Sequence, residues 1–466
     1  MKNRYRVFFT CALLACLLAS SGCHKESYKD KPRELEAVDL GLPSGTLWAS
    51  QNLMADRPWA LGKTFRWGDT RPAEESQGYC FLEDGQLTKY NFDENKGVVD
   101  NRYFLESEDD AATALLGDEW RMPTIWEFEE LHDYCNWEKE KINGELCYVV
   151  SSKVNTNSII LPLKYITLGL FFIDFTFGEA YEYWTNCVSD DNSNAWLLQG
   201  DALRIKPRGR GSAYIRPVYA GRVPVEDVKI NEVEPIPAGT KKSVSVSIIP
   251  VNALDKRLKW ESGDDEVLYV DSKGNLTALF PGKAQIRATS IATGQTSVTQ
   301  VVVTDYVSPE KVDLGLPSGL LWADRNLGAI DESDPGLKFC WGATRPRGED
   351  QGYVDYSVFY PEKEAYSNGV LSLDYDAANV ILGDGWRLPT RAEFKELTDN
   401  TVFSDQGYAF TSIRNGRTLS LQSGYCWTSE YVDESKFYVF TGWSRRIGAM
   451  NGPCAEWIRP VFDPRK

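Results

Sequence analysis

Two carboxylates recur in a phrase written twice along the chain, "GDEWRMPT" at residues 117–124 and "GDGWRLPT" at 383–390, each followed within a few residues by a glutamate. Asp118 with Glu127, and Asp384 with Glu393, are acidic pairs of the kind that acid–base cleavage of a glycosidic bond employs. The wider inventory of reactive groups is sparse. Histidine is confined to His24 and His132, and Thr398 stands in the second copy where the first has His132, so neither a Ser–His–Asp triad nor an H-E-x-x-H zinc helix can be assembled. No C-x-x-C, phosphate-loop or G-x-G-x-x-G pattern occurs. Beyond Cys23 the cysteines are Cys80, Cys135, Cys147, Cys187, Cys340, Cys426 and Cys454, an odd set whose spacing matches no zinc or redox motif. Most of them read as small buried hydrophobes.

The same phrase has a structural use for each of its residues. Thr124 and Thr390 are followed three positions later by Glu127 and Glu393, the pattern of a capping box, so a helix is expected to start at each threonine. Phe128 with Leu131, and Phe394 with Leu397, then share one helical face for burial, while Glu130 and Glu396 are expected to point away from it. Trp120 and Trp386 read as core anchors, and Arg121 and Arg387 as partners for nearby carboxylates or backbone carbonyls. With Glu127 and Glu393 committed to capping, scaffold is favoured over catalysis. No catalytic residue and no metal site are assigned.

The duplication extends far beyond this phrase. "VDLGLPSGTLWASQNL" at 38–53 returns as "VDLGLPSGLLWADRNL" at 312–327, "FRWGDTRPAEESQGY" as "FCWGATRPRGEDQGY", and "YIRPVY" as "WIRPVF", all in the same order. Length differences fall in the connecting segments, the largest being the apolar insertion "YITLGLFFIDFTFGEAYEY" at 165–183 of the first copy. Between the copies, "SVSVSII", "EVLYV", "AQIRATS" and "TSVTQVVVT" alternate apolar and polar residues between turn residues, the pattern of an all-β sandwich.

This middle segment resembles the group 2 bacterial immunoglobulin-like domain, through its P-x-N-A turn, the Trp260-x-Ser262 strand, the Asp271-x-x-Gly274 hairpin and the Pro281-Gly282 turn. The resemblance implies a spacer or adhesive module of a surface protein. The repeated unit, from V-D-L-G-L-P-S-G through W-G-x-T and W-R-x-P-T-x-x-E-F to I-R-P-V, is similar to the Fibrobacter succinogenes major paralogous domain and, through "GDGWRLPTRAEF", to the formylglycine-generating enzyme superfamily and C-type-lectin-like folds. That resemblance implies a C-type-lectin-like α+β domain. The oxidase relatives hold copper through two neighbouring cysteines. Here Cys426 and Cys454 lie apart in sequence, with Tyr183 and Gly211 as their first-copy counterparts, which argues against oxidase activity and makes a Cys426–Cys454 disulfide the more economical expectation. The E-P-N or Q-P-D loop of calcium-dependent sugar binding is missing, and "VSDDNSNAW" at 188–196 reads as a hairpin turn with oxygen-rich side chains.

The chain opens with a basic start, an apolar run from Val7 to Ser20 and "SSGC" ending at Cys23, which resembles a bacterial lipobox. Cys23 is the expected lipidation site, and the charged residues after it resemble the export signal of Bacteroidetes surface lipoproteins. A formal charge of −16 makes nucleic acid a poor partner.

These readings divide the chain into a signal peptide (1–22), a tether (23–36), a first C-type-lectin-like domain (37–221), an immunoglobulin-like sandwich (222–306) and a second C-type-lectin-like domain (307–466). Recognition is expected where the copies differ. In the first copy the candidates are Phe171, Phe172, Phe175 and Phe177, which either pair as a hairpin or form an exposed contact loop, together with Trp196. In the second copy they are Trp443, Arg445 and Arg446, suited to an anionic sugar or a protein surface if they are not simply a solvated loop. The resulting expectation is a lipid-anchored outer-membrane protein, on the cell surface or facing the periplasm, that binds a glycan or a host or bacterial surface protein without a cofactor. A structural subunit of a surface or pilus assembly is the alternative, and a formylglycine-generating-type oxidase comes third.

Overall fold

The computed structural model describes residues 35–465 apart from 77–79, 171–172, 181, 200–201, 209–210, 347–362, 368, 422–423 and 452–453. The chain is predominantly β, with a few short helices, and divides into two compact units, Met1–Gly221 and Arg222–Lys466. Among the described residues no helix is long and apolar enough to cross a membrane.

In the first unit a four-stranded antiparallel sheet runs in the order Ala37–Val38, Leu47–Ala49, Val218–Tyr219, Trp120–Arg121. The second unit holds its counterpart, Lys311–Val312, Leu321–Ala323, Val461–Phe462, Trp386–Arg387, in the same order and register. The repeated blocks thus build the same sheet twice, with the opening "VDLG" strand and the closing "RPV" strand on either side of the tryptophan strand.

The helix after each phrase starts at its threonine. Ile125–Tyr134 and Arg391–Asp399 both carry a complete capping box, on Thr124 with Glu127 and on Thr390 with Glu393. Phe128 and Leu131 bury against Trp48, whose ring centroid lies 5.2 Å from that of Phe128; Phe394 meets Trp322 at 5.1 Å. Trp48, Trp67, Trp184, Trp322 and Trp427 are the fully buried anchors. Trp120, expected among them, is only half-buried against Tyr219 on a strand at the sheet edge. Trp386 is buried, against Phe462.

A shorter helix precedes each phrase, Ala111–Leu116 and Ala377–Leu382, capped by the buried carboxylates of Asp110 and Asp376. Asp376 accepts from the amides of Ala378 and Asn379 and, across the turn, from Leu388 at 2.8 Å, so one side chain ties helix to strand. Burial pushes its carboxyl up to about 6, against the opposing pull of those amides. A folded pKa above the unfolded value of about 4 gives stability that is present below pH 4 and lost as pH rises through 6, roughly 3 kcal/mol in all. Relative to Asp376→Asn, the wild-type second unit is expected to lose about that much stability between pH 4 and 7 in urea titrations, whereas parallel curves would refute the assignment.

The immunoglobulin-like segment packs Leu268, Leu276, Ala278, Ile286, Ala288 and Val301 into one core drawn from two sheets, one containing Gly282–Ser290 and Thr296–Thr304, the other Leu268–Val270 and Asn275–Ala278. Along Gly282–Ser290 the buried residues are Ala284, Ile286, Ala288 and Ser290, the alternation read from the sequence. This sandwich is not an independent spacer within its unit. Leu279, with Tyr269 and Tyr306 at the margin, joins the core of the second copy beside Leu327, Leu337 and Trp341. Arg345 pairs with Glu266 at 2.5 Å and lies over the ring of Phe280. Its first-copy counterpart, Arg71, pairs instead with Asp69, for which the second copy has Ala343.

Candidate functional site

The glutamate of each motif pair is consumed by structure, while Asp118 and Asp384 stand exposed on the turn before the tryptophan. Glu127 accepts from Arg121 at 2.7 and 2.8 Å, from the Thr124 amide at 2.8 Å and from the Thr46 hydroxyl at 3.0 Å. Arg121 also donates to the carbonyl oxygens of Gly221 and Met122. Burial disfavours the charge on Glu127, but the Arg121 guanidinium and these hydrogen bonds outweigh it and hold the carboxyl below its usual range. It is therefore ionised and fully committed, which disqualifies it as a proton donor near neutral pH. Arg387 and Glu393 repeat the pair at 2.5 and 2.9 Å, in a more open setting where Leu320 replaces Thr46.

Glu130 and Glu396 do not point away. Each receives the amide and hydroxyl of a serine from the "PSG" turn, Ser44 in the first copy and Ser318 in the second, so the helix clamps the opening strand. The arginine of "IRP" is buried in both copies. Arg216 is held by Asn52 and the carbonyls of Ala49 and Ile160, Arg459 by Asn326 and the carbonyls of Ala323 and Asp324.

Cys426 and Cys454 are not joined. Cys426 faces the cluster of Trp322 and Phe394, whereas Trp427, next along the strand, faces the opposite cluster, against which Cys454 packs. Strand alternation thus turns the Cys426 sulfur away from the core against which Cys454 packs. The expected disulfide is corrected accordingly, and the paired thiols that copper would need are not assembled. Asp191 closes the 188–196 turn by accepting from the Ser189 hydroxyl at 2.6 Å and the amides of Ser193 and Asn194 at 3.0 Å. Among the described residues no group of three His, Cys, Asp or Glu side chains is placed to hold a metal.

The aromatic candidates separate. Cys23, Phe171 and Phe172 lie outside the described residues; Phe175 and Phe177 fall on the strand Ile173–Ala180, which pairs with Lys164–Leu170 as an antiparallel hairpin. Trp196 is half-buried against the first core. Trp443 stands exposed on the turn before Arg446–Asn451, edge-on to Tyr425 at 5.1 Å, with Arg445 turned onto Phe403.

A cavity of about 470 Å³ opens in the first unit, lined by Cys80, Leu82, Gly85, Gln86, Leu87, Asn95, Lys96, Ser193, Pro207 and Arg208. The hairpin Leu82–Glu83/Gln86–Leu87 forms one wall, and the 3₁₀ turn Glu94–Lys96, capped by Asp93, forms another. Gly97, at φ +135°, brings that turn against the hairpin; a Cβ there would sit 2.2 Å from the Leu87 carbonyl oxygen. The end of the strand Ala202–Pro207 delivers Arg208, which is 3% exposed and lies 5.6 Å from the Trp67 ring. Burial, with Asp69 adding to it, pushes the Cys80 thiol up to about 11, so it stays protonated and is a poor nucleophile. Sequence reasoning passed over Arg208. The available signal was its position within the repeat, since aligning Ile215 with Ile458 places Asn451 opposite it.

Residues 225–302 match the bacterial Ig-like domain (group 2). That is the part of the chain whose family is shown. An uncharacterized protein of Clostridium acetobutylicum is 26% identical over 149 residues, which is 31% of this chain and 35% of that protein. Among solved structures, a SusE-like surface-located polysaccharide-binding protein from the Bacteroides thetaiotaomicron heparin utilisation locus aligns with 70% of this chain and 53% of its own, at 10% identity and a TM-score of 0.16, too low to indicate a shared fold. The chain thus spans about a third of the first relative and about half of the second.

Proposed function

We propose that the protein is a non-catalytic binding protein of the cell envelope, anchored by lipid at Cys23, whose two repeated domains are C-type-lectin-like scaffolds for recognising a glycan or a surface protein. The observation that carries this reading is the full commitment of Glu127, Arg121 and their second-copy counterparts to internal hydrogen bonds, together with a cavity elsewhere in the first unit whose lining sequence the second copy does not repeat. A shared scaffold with unshared loops is the arrangement of a recognition module. The Ig-like segment supports the assignment to a surface protein.

The test is a glycan and protein array probed with the chain from Lys25 onward, in parallel with a variant whose 166–180 segment is replaced by a Gly-Ser link. A specific signal is expected from the wild-type chain, and its loss in the variant would put recognition on the hairpin Lys164–Leu170/Ile173–Ala180. Silence from both, with polymers visible by electron microscopy, would replace this reading with that of a structural subunit.

A further inference from the structure

We infer that the cavity beside Arg208 is a receptor for the carboxylate of an acidic sugar residue. The inference deepens the glycan-binding reading above and rests on it. Arg208 is the argument. Its Nε and Nη1 have no hydrogen-bond partner and are shut off from water, and Nη2 reaches only the Lys89 carbonyl oxygen, at 3.4 Å. The other deeply buried guanidiniums behave differently: Arg121 is neutralised by Glu127, and Arg216 and Arg459 are satisfied by an asparagine and backbone carbonyls. A buried cation with no directly paired counter-charge is costly to keep, and Asp100 and Asp191 act on Arg208 only from a distance. No carboxylate lies within ion-pair distance of Arg208 among the described residues, and burial lowers its pKa only to about 10, so it remains charged at neutral pH.

The lining agrees. It contains two cations, Arg208 and Lys96, and no acidic residue, in a chain whose net charge is −16. The Lys96 ammonium donates to the Asp191 carbonyl at 2.6 Å and lies 3.9 Å from the Asp93 carboxylate, which leaves donor capacity for an incoming oxygen. Gln86, Asn95 and Ser193 can bond hydroxyls, while Leu82, Leu87 and Pro207 offer an apolar wall to the face of a ring. At about 470 Å³ the space suits one or two sugar rings. The unmade donors lie beneath the surface, so the inference requires Arg208 to turn about its side-chain torsions for a carboxylate to reach them. Among the described residues the second copy does not repeat the arrangement: Asn451 occupies the matching position, and Trp341 stacks on Phe437 at 4.4 Å where Trp67 carries the guanidinium. One site per chain is expected.

The experiment is calorimetric titration of the chain from Lys25 with trigalacturonate, its methyl ester and a glutamate hexapeptide, on wild type and Arg208→Met, with thermal unfolding of both proteins. Trigalacturonate is expected to bind wild type at least tenfold more tightly than either its ester or Arg208→Met, with one site per chain. The unliganded variant is expected to unfold at the same temperature as wild type or a higher one, because it loses a buried cation that Asp100 and Asp191 offset only from beyond ion-pair distance. Equal binding of acid and ester, or a lower unfolding temperature for Arg208→Met, would overturn the inference while leaving glycan binding intact. Binding of the peptide alone would assign the cavity to protein ligands. Binding of no probe would overturn the inference and leave the reading beneath it to the array.

Discussion

Replacing Glu127 by Gln is expected to lower the unfolding temperature of the first unit by about 10 °C. The substitution keeps the shape of the side chain but strands the Arg121 guanidinium, which is 2% exposed and bonded to both Glu127 oxygens. Breaking a buried ion pair on one side costs roughly 3–5 kcal/mol, because the remaining charge is neither paired nor hydrated. In a unit of about 200 residues each kcal/mol shifts the midpoint by roughly 2–4 °C. Glu393→Gln provides the internal control. Its pair is 15–17% exposed and lacks the threonine hydroxyl that Glu127 receives, so water can relieve part of the loss and the second unit should shift by less than half as much. Differential scanning calorimetry of both variants reads the two effects in one chain. Equal shifts would mean that burial does not set the worth of this pair.

The second large effect is expected at Gly239, where the immunoglobulin-like sandwich meets the second copy. Its φ is +97°, and a Cβ there would fall 1.9 Å from the backbone oxygen of Gly328. Both obstacles are backbone, so no side-chain adjustment relieves them. Gly239→Ala combines a left-handed strain of about 1–2 kcal/mol with an overpacking cost of about 1–3 kcal/mol. The least costly relaxation moves the two modules apart, exposing Leu279 and breaking the contact of Arg345 with Glu266. The shared core at Leu279 predicts one calorimetric transition for the wild-type second unit and two for Gly239→Ala, with the 305–310 connection becoming a site of limited proteolysis. An unsplit transition with unchanged protease resistance would show that the sandwich is not held in this way.

Much of the scaffold was legible because it is specified locally. A threonine three residues before a glutamate dictates its own cap, and Ala284, Ile286 and Ala288 declare a buried face by alternation alone. What escaped depends on contacts distant in sequence. Glu130 appears solvent-facing on a helical wheel, and only the return of the "PSG" turn across the helix gives it Ser44. The Cys426–Cys454 expectation ignored the strand parity that turns Cys426 away from the core beside Cys454. Arg208 was the hardest to see. Its significance lies in hydrogen bonds it does not make, and a sequence records nothing about unmade bonds.

The sheet order has an evolutionary consequence. Val38 and Val218 both pair with Trp48, and Val312 and Val461 both pair with Trp322, so the strand entering each copy and the strand leaving it flank one residue, about 10 Å apart. A segment whose ends emerge side by side behaves as a cassette: it can be copied, inserted or deleted while the neighbouring chain need only bridge that short gap. Duplication of such a cassette adds a complete sheet at once, and either copy is then free to diverge around its rim without risk to the other.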